Sequence, residues 1–215
     1  YLTDLWTERG VKFIEEHRDE PFFLFLAYNG PYNLGRLLLN PPRNRHAEYY
    51  AGLDLWSFPR DTMHPWQFNN KEYLNNPVSI RRVAAETSGV DDGVGEILAT
   101  LERLGLNEKT LVIYAADQGW MGGQNGLWGM GDHTRPIGAH ELMMHIPLIF
   151  RHTGRIPPQQ TSDLMVSNYD FLPSLLSYLD FAEQTPETSP GRNFAPALVG
   201  QEVADWDPVV YYEME

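Results

Sequence analysis

The chain has 215 residues, 42% of them hydrophobic and 21% charged, the make-up of a folded globular protein able to bury a sizeable core. Its formal net charge of −13 argues against a nucleic-acid surface, which needs clustered Lys and Arg; an anionic ligand would need a bound cation or locally focused positive charge. There is no cysteine, so disulfides, thiolate nucleophiles and cysteine-based zinc sites are excluded, and no apolar run reaches the roughly 20 residues of a membrane span.

Taken in order, Leu2, Leu5, Trp6, Val11, Phe13 and Ile14 make an irregular helical stripe that a charged segment and Pro21 bring to an end. The chain thus starts inside a helix, without Met or a signal peptide, and Val209 to Glu213 look like a strand just beginning. Both ends read as cuts through a longer protein. Phe22 to Tyr28 is a continuous apolar run, expected to be a central strand buried on both faces, and Asn29-Gly-Pro31-Tyr32 turns the chain after it. Residues 33–80 carry Pro, Asn, Arg, Tyr and Trp with no sustained period. They read as a long surface excursion with short helical turns, on the substrate side of the domain. Val83, Thr87, Val90, Val94, Ile97, Leu98, Leu101 and Leu104 then follow helix spacing closely, with Gly105 as the stop. Gly93 and Gly95 weaken that helix by about 1 kcal/mol each against Ala, which a close approach of its backbone to the sheet would offset.

Thr110 to Ala116 is β-branched, aromatic and small, and it runs straight into Asp117-Gln118-Gly119. That is the pattern of a buried parallel-type strand finishing at the edge where α/β sheets gather ligands. An anionic oxygen from Asp117 and a carbonyl oxygen from Gln118 suit a hard divalent cation, and Gly119 permits a tight path beneath them. The alternative is that Asp-Gln-Gly only turns the chain out of a strand. Further on, Ile146-Pro-Leu-Ile-Phe150 reads as a strand with an irregular start at Pro147, and Asp170 as the cap of a helix from Phe171 to Leu179 with Pro173 in its first turn.

Several clusters look like sites and are rejected. Asp91-Asp92 lies mid-helix with side chains about 100° apart, as on a solvated face. His140-Glu-Leu-Met-Met-His145 misses the i, i+4 histidine spacing of a zinc-hydrolase helix by one residue. No Gly-x-Ser-x-Gly elbow and no Walker loop occur. The loop Gly129-Met-Gly-Asp132-His133-Thr-Arg135-Pro136 is different, because it gathers an acid, an imidazole and a guanidinium just past the proposed metal edge. Arg135 has the fork to hold an oxyanion and His133 the ring to act as general acid or donor; a surface turn closed by an Asp132–Arg135 pair is the other possibility.

Pro21-Phe-Phe-Leu-Phe-Leu-Ala-Tyr-Asn-Gly-Pro31, Asp91-Asp-Gly-Val-Gly95 with Leu101 to Gly105, Thr110 to Gly119 with Gly123 to Gly129, Ile146 to Arg151 with Gly154-Arg-Ile-Pro157, and Asp170 to Leu176 follow one another in the order found in type I sulfatases of the alkaline phosphatase superfamily. The chain resembles that family over roughly residues 1 to 200. The resemblance implies an α/β fold: a mostly parallel mixed sheet flanked by helices, alkaline-phosphatase-like and incomplete at both ends, with residues 1–215 as part of the catalytic domain. It implies hydrolysis of a sulfate ester with one Ca2+ or Mg2+ and a formylglycine nucleophile made from a Cys/Ser-x-Pro-x-Arg motif.

Asp117 and Gln118 match the family's second pair of metal ligands. The first acid pair and the nucleophile belong upstream of the Phe22 strand, before this sequence begins. Ser57-Phe-Pro59-Arg60 does not replace the motif, since its Arg falls one residue early and on the wrong side of that strand. Family members often carry His where Tyr32 and Asn125 stand, and Lys or His at Met130. Tyr32 and Asn125 are therefore the substrate-side positions, and His133 and Arg135 the candidates to take over the sulfate-holding task. The resemblance also implies an exported protein, periplasmic or extracellular. A sulfated small molecule or carbohydrate is the expected partner, in keeping with the aromatic and arginine content of 33–80. A phosphoester hydrolase of the same superfamily, or an inactive sulfatase-like binding protein, are the alternatives.

Overall fold

The computed structural model describes residues 1–31 and 35–212. In chain order the elements are α1 (Leu2–Glu16), α2 (Ala47–Tyr50), α3 (Pro77–Arg103), β1 (Val112–Ala115), β2 (Met121–Gly122), β3 (Trp128–Gly129), α4 (Glu141–Met144), β4 (Leu148–Arg151), α5 (Asn168–Tyr178) and α6 (Ala195–Leu198). Short 3-10 turns lie at Gly35–Leu39, Gln124–Gly126, Gly131–His133 and Ala182–Gln184. Strand β1 pairs with β4, and β2 with β3 in an antiparallel ribbon. The chain divides into two compact units, residues 1–106 with 115–147, and residues 107–114 with 148–215.

In the first unit α1 packs on α3 through small residues. The buried positions of α1 are Thr3, Thr7, Gly10 and Ile14, whereas Leu2 and Leu5 of the expected stripe stay exposed. Ile14 of that stripe is buried and Trp6, Val11 and Phe13 are half-buried, but close packing of two helices rewards small side chains over large ones, so the first turns bury threonines and a glycine instead. A Cβ at Gly10 would already press on Ile97 and Leu26 at 3.1 Å each. At Gly93 of α3 a Cβ would fall 2.4 Å from Thr7 Oγ1 and 2.7 Å from the Tyr28 hydroxyl, so the close approach there is to α1 and Tyr28 and not, as expected, to the sheet. Nothing in the structure explains Gly95, whose missing Cβ faces open space.

Asn76 caps α3 by accepting the Val78 N–H at 2.9 Å, and Pro77 fills its first turn, so the helix begins before Val83. It ends in a Schellman motif: Gly105 has φ +68°, its N–H donates to Glu102 O, and the Leu106 N–H donates to Leu101 O at 2.8 Å. Asp91 is exposed as expected. Asp92 is not a free solvated acid, because Arg45 grips it at 2.6 Å and His46 at 2.5 Å, fastening the segment before α2 to the helix. Those hydrogen bonds hold the Asp92 carboxyl below its usual range. Deeper in, Arg82 and Glu86 form a buried pair at 3.2 Å, and Arg82 Nη1 also donates to the carbonyls of Asn40 and Pro41.

Two expectations need correction. Phe22 to Tyr28 is not a strand buried on both faces: it forms no ladder among the described residues, and its side chains alternate between half-buried and exposed. Phe22 meets Phe13 and Leu26 lies against Gly10, while Phe23 and Phe25 are 81% and 80% exposed. Nor are residues 33–80 only a surface excursion. Leu38, Tyr73 and Leu74 join Ile80, Val83 and Trp128 in a core cluster, with Leu55, Phe58 and Trp120 packed against it. Isolated anchors, each buried at its own point, leave no period to read.

The second unit is built on β1, β4 and α5. Strand β1 is only partly buried, with Tyr114 and Ala115 exposed at its end. Strand β4 begins directly after Pro147, and Phe150 packs against Phe171 and Phe194 at ring distances of 6.2 and 5.8 Å. No strand forms over 209–212, and Glu213 lies outside the described residues. Ser167, not Asp170, is the N-cap of α5; Asp170 sits at the third helical position and closes a capping box by accepting the Ser167 N–H at 2.9 Å. Pro173 accordingly lies inside the helix, beyond its first turn.

Asp170 is buried and also accepts the Arg192 backbone N–H at 2.7 Å and the Arg192 guanidinium at 2.8 Å. Burial pushes its carboxyl up, but the hydrogen bonds from Arg192 and Ser167 outweigh that and leave it below the ordinary range. Its stabilisation is complete above the unfolded value of about 3.9 and is lost as pH falls through the lower folded value. Asp170→Ala should cost about 2–4 kcal/mol at pH 7. Urea unfolding at pH 7 and pH 3 should show the gap between wild type and variant closing at the lower pH.

Candidate active site

Asp117 and Gln118 stand just beyond the end of β1, both exposed, and neither side chain makes a hydrogen bond or ion pair to a described residue. The backbone beneath them is fixed. Gly119 N–H donates to Met143 O at 3.0 Å and Trp120 N–H to Leu142 O at 2.7 Å, so the short helix α4 lies alongside. A Cβ at Gly119 would lie 2.2 Å from the Leu142 carbonyl oxygen. Glycine is required there by this close crossing of two backbones.

From Trp120 the chain enters the β2–β3 ribbon, with Met121 opposite Gly129 and Gly122 opposite Trp128. This antiparallel register puts the residues before Met121 and those after Gly129 at one end of the ribbon, so Asp117–Gln118 and the 130–135 loop leave it on the same side. Asn125 sits in the connecting turn at the other end. It has φ +55°, is exposed, and its backbone N–H donates to Asp61 Oδ2 at 2.9 Å. Gly126 beside it has φ +68°, and a Cβ there would meet the Thr62 carbonyl oxygen at 1.9 Å, so segment 59–64 packs directly on the turn. Tyr32 lies outside the described residues.

The 130–135 loop is held by partners far away in sequence. His133 is buried; its Nδ1 accepts from the Met130 N–H at 3.2 Å and faces the Asn70 amide at 3.0 Å, which leaves the ring proton on Nε2. Burial lowers its pKa, with the Asp132 carboxylate at 3.7 Å opposing the shift. A Cβ at Gly129, φ +104°, would strike that imidazole at 1.9 Å. The His133 carbonyl takes the N–H groups of Phe68 and Asn69. In this arrangement the imidazole organises its own loop.

Arg135 is exposed. Its Nη1 donates to the carbonyls of Asp132 (2.8 Å) and Thr134 (2.7 Å), not to the Asp132 carboxylate, and its guanidinium carbon lies 4.8 Å from the centre of the Phe68 ring. The anticipated Asp132–Arg135 ion pair is therefore absent among the described residues.

Beneath this loop lies Gln67, which is 1% exposed. Its Oε1 accepts the Trp128 N–H at 2.8 Å and its Nε2 donates to Trp128 O at 2.9 Å, so one side-chain amide pairs with β3 as a peptide group would. Its backbone bridges Thr134 in antiparallel fashion. Neither Gln67 nor Asn70 stands out in the sequence, because each acts on a partner more than sixty positions later.

His145 bonds Glu141 at 2.9 Å, Arg60 pairs with Asp54 at 3.2 Å, and no group of three or more His, Asp or Glu among the described residues is placed to hold a metal ion.

The family model described as Sulfatase matches residues 1–181. The chain belongs to the sulfatase family. Among curated sulfatases it is 29% identical over 177 residues to an endo-4-O-sulfatase of Bacteroides thetaiotaomicron, covering 82% of this chain and 32% of that protein. To the N-acetylglucosamine-6-sulfatase of Bos taurus it is 27% identical over 230 residues, covering 100% of this chain and 39% of that protein. A solved structure from work on glycosaminoglycan metabolism by Bacteroides thetaiotaomicron superposes with a TM-score of 0.71 at 26% identity, over 90% of this chain and 38% of that one. The chain thus spans about a third to two fifths of these sulfatase relatives, and it has their alkaline-phosphatase-like α/β architecture in part, with the sheet represented by two small ribbons.

Replacing Gln67 by Leu leaves the buried N–H and C=O of Trp128 without partners and should cost about 2–4 kcal/mol in a denaturant titration. The lowered His133 value carries a sign as well. Stability from the neutral ring is complete above the unfolded value of about 6.5 and is lost as pH falls through the folded value. The unfolding midpoint should therefore drop as pH is taken from 7 towards 5, and the drop should shrink in His133→Gln.

Proposed function

We propose that the protein carrying this chain is a metal-dependent sulfuric ester hydrolase acting on a sulfated carbohydrate. The observation that carries this is the exposed Asp117–Gln118 pair at the end of β1, without a hydrogen-bond or ion-pair partner among the described residues, in a chain of the sulfatase family. Relatives named for 4-O- and 6-sulfatase activity support the carbohydrate class. No helix among the described residues is long and apolar enough to cross a membrane, and export follows the same family reasoning.

The donor set fits a hard cation in part. One carboxylate and one amide oxygen are free to bind, against the six to eight oxygens that Ca2+ takes, so further ligands come from outside the described residues. When bound through Asp117 and Gln118, Ca2+ or Mg2+ supplies Lewis-acid polarisation of a sulfate oxygen. The remaining work belongs to this chain. The Gly119 and Trp120 hydrogen bonds to Met143 and Leu142 fix the backbone immediately after the two donors. His133 sets the path of the 130–135 loop on the same side, and Arg135 brings that loop an exposed guanidinium able to hold an anion. The formylglycine nucleophile has no counterpart motif in the chain and is assigned to the sequence preceding it. Asn125, Met130 and Tyr32 stand where many family members have His or Lys, which favours as a second reading a sulfatase-like binding protein without turnover.

Turnover of 4-nitrophenyl sulfate by the whole protein should vanish on exhaustive chelation and return with Ca2+ or Mg2+. Asp117→Asn should lower kcat by at least about a hundredfold, the loss expected when several kcal/mol of charge stabilisation go. Activity indifferent to both would sink the proposal, and a higher kcat/KM on 4-nitrophenyl phosphate would reassign the protein to phosphoester hydrolysis.

A further inference from the structure

The segment His64 to Phe68 lies beside the 133–135 loop through a single antiparallel bridge, Gln67 to Thr134, extended by Arg135 N–H to Trp66 O at 2.8 Å and Phe68 N–H to His133 O at 2.9 Å. Side chains alternate along an extended segment. Gln67 points inward and is 1% exposed, while Trp66 and Phe68 point outward at 41% and 55%. Two aromatic rings in solvent beside a buried amide are not explained by the core they leave.

Both rings are held in place. The Trp66 indole meets the His64 ring edge-on at 5.2 Å, and His64 Nδ1 accepts the Trp66 N–H at 3.1 Å. Phe68 carries the Arg135 guanidinium over its face. Arg135 spends Nη1 on two backbone carbonyls, and among the described residues it has no carboxylate partner and no hydrogen bond from Nε or Nη2. In a protein of net charge −13, an uncompensated guanidinium stacked on an exposed ring is a local invitation to an anion.

We propose that Trp66, Phe68 and Arg135 form a subsite for a sulfated sugar residue next to the one being cleaved. A pyranose presents a flat array of C–H groups for the Trp66 face, and a sulfate on it reaches the free edge of Arg135 in bidentate fashion. The β2–β3 register brings the loop that carries Arg135 out at the same end of the ribbon as Asp117–Gln118, and a chain of at least two sugars would span both. The subsite rests on the sulfatase reading above, and it deepens that reading from sulfate ester to sulfated oligosaccharide.

The test is calorimetric binding of a heparin-derived sulfated tetrasaccharide to the whole protein. Trp66→Ala and Arg135→Gln should each raise Kd at least about tenfold. Trp56→Ala, which removes a ring 87% exposed elsewhere, serves as the control and should leave Kd unchanged. The desulfated tetrasaccharide should bind wild type at least about tenfold more weakly, a difference that disappears in Arg135→Gln. Trp66→Phe, which keeps an aromatic face, should retain binding within about threefold, separating stacking from folding should Trp66→Ala be unstable.

Equal Kd values for wild type and Trp66→Ala, or no binding by wild type, overturn the subsite. Hydrolysis of 4-nitrophenyl sulfate is scored on the same wild-type sample. Its absence removes the sulfatase reading and leaves the Kd comparison to judge the platform.

Discussion

The candidate site depends on one side-chain amide standing in for a peptide group. Gln67 exchanges two hydrogen bonds with the backbone of Trp128, in a place where neither partner can reach water. Buried polar groups left unmatched are costly, so this pairing defines where segment 64–70 can lie. From it follow the bridge to Thr134, the Phe68 and Asn69 bonds to the His133 carbonyl, and the Asn70 contact with the imidazole. The 130–135 loop has little regular structure of its own. Its shape is borrowed from a strip of chain more than sixty residues earlier.

Glycines do the complementary work. At 119, 123, 126 and 129 a Cβ would collide with a backbone carbonyl or an imidazole, at distances of 1.9 to 2.4 Å. Three of the four also have positive φ. The ribbon between Asp117 and His133 is thus a place where four separate strips of backbone are stacked at contact distance, and ordinary side chains are excluded from the stack. This crowding explains how strands of only two residues, too short to be stable by themselves, hold a defined register.

Features encoded over a few consecutive residues were legible in the sequence. The amphipathic run of α3, its Gly105 stop, the β1 strand leading to Asp117 and the start of β4 after Pro147 each rest on local propensity or local sterics. What failed was everything set by a distant partner. The buried face of α1 follows from Gly93 and Tyr28. The burial of Leu38, Tyr73 and Leu74 follows from Trp128 and α3, and Asp170, which completes the capping box that Ser167 begins, is further tied down by Arg192. At the site, Asp117 and Gln118 were legible because strand chemistry ends abruptly in oxygen donors. His133 was visible only as a titratable ring, since its burial and its filled Nδ1 depend on Asn70 and the turn at Gly129. Arg135 read either as an oxyanion holder or as half of an ion pair with Asp132, and its neighbours among the described residues are carbonyls and Phe68.

The unladdered run from Phe22 to Tyr28 bears on how this polypeptide behaves in the test tube. Its half-buried side is satisfied by α1 and α3, but the opposite side shows two phenylalanine rings about four-fifths bare, alongside main-chain groups without ladder partners among the described residues. Such a strip is adhesive toward any other extended peptide. Produced by itself, the 215-residue piece would recruit its own copies through that strip, and a solubilising mutation belongs at Phe23 or Phe25 rather than anywhere in the well-packed helical layer.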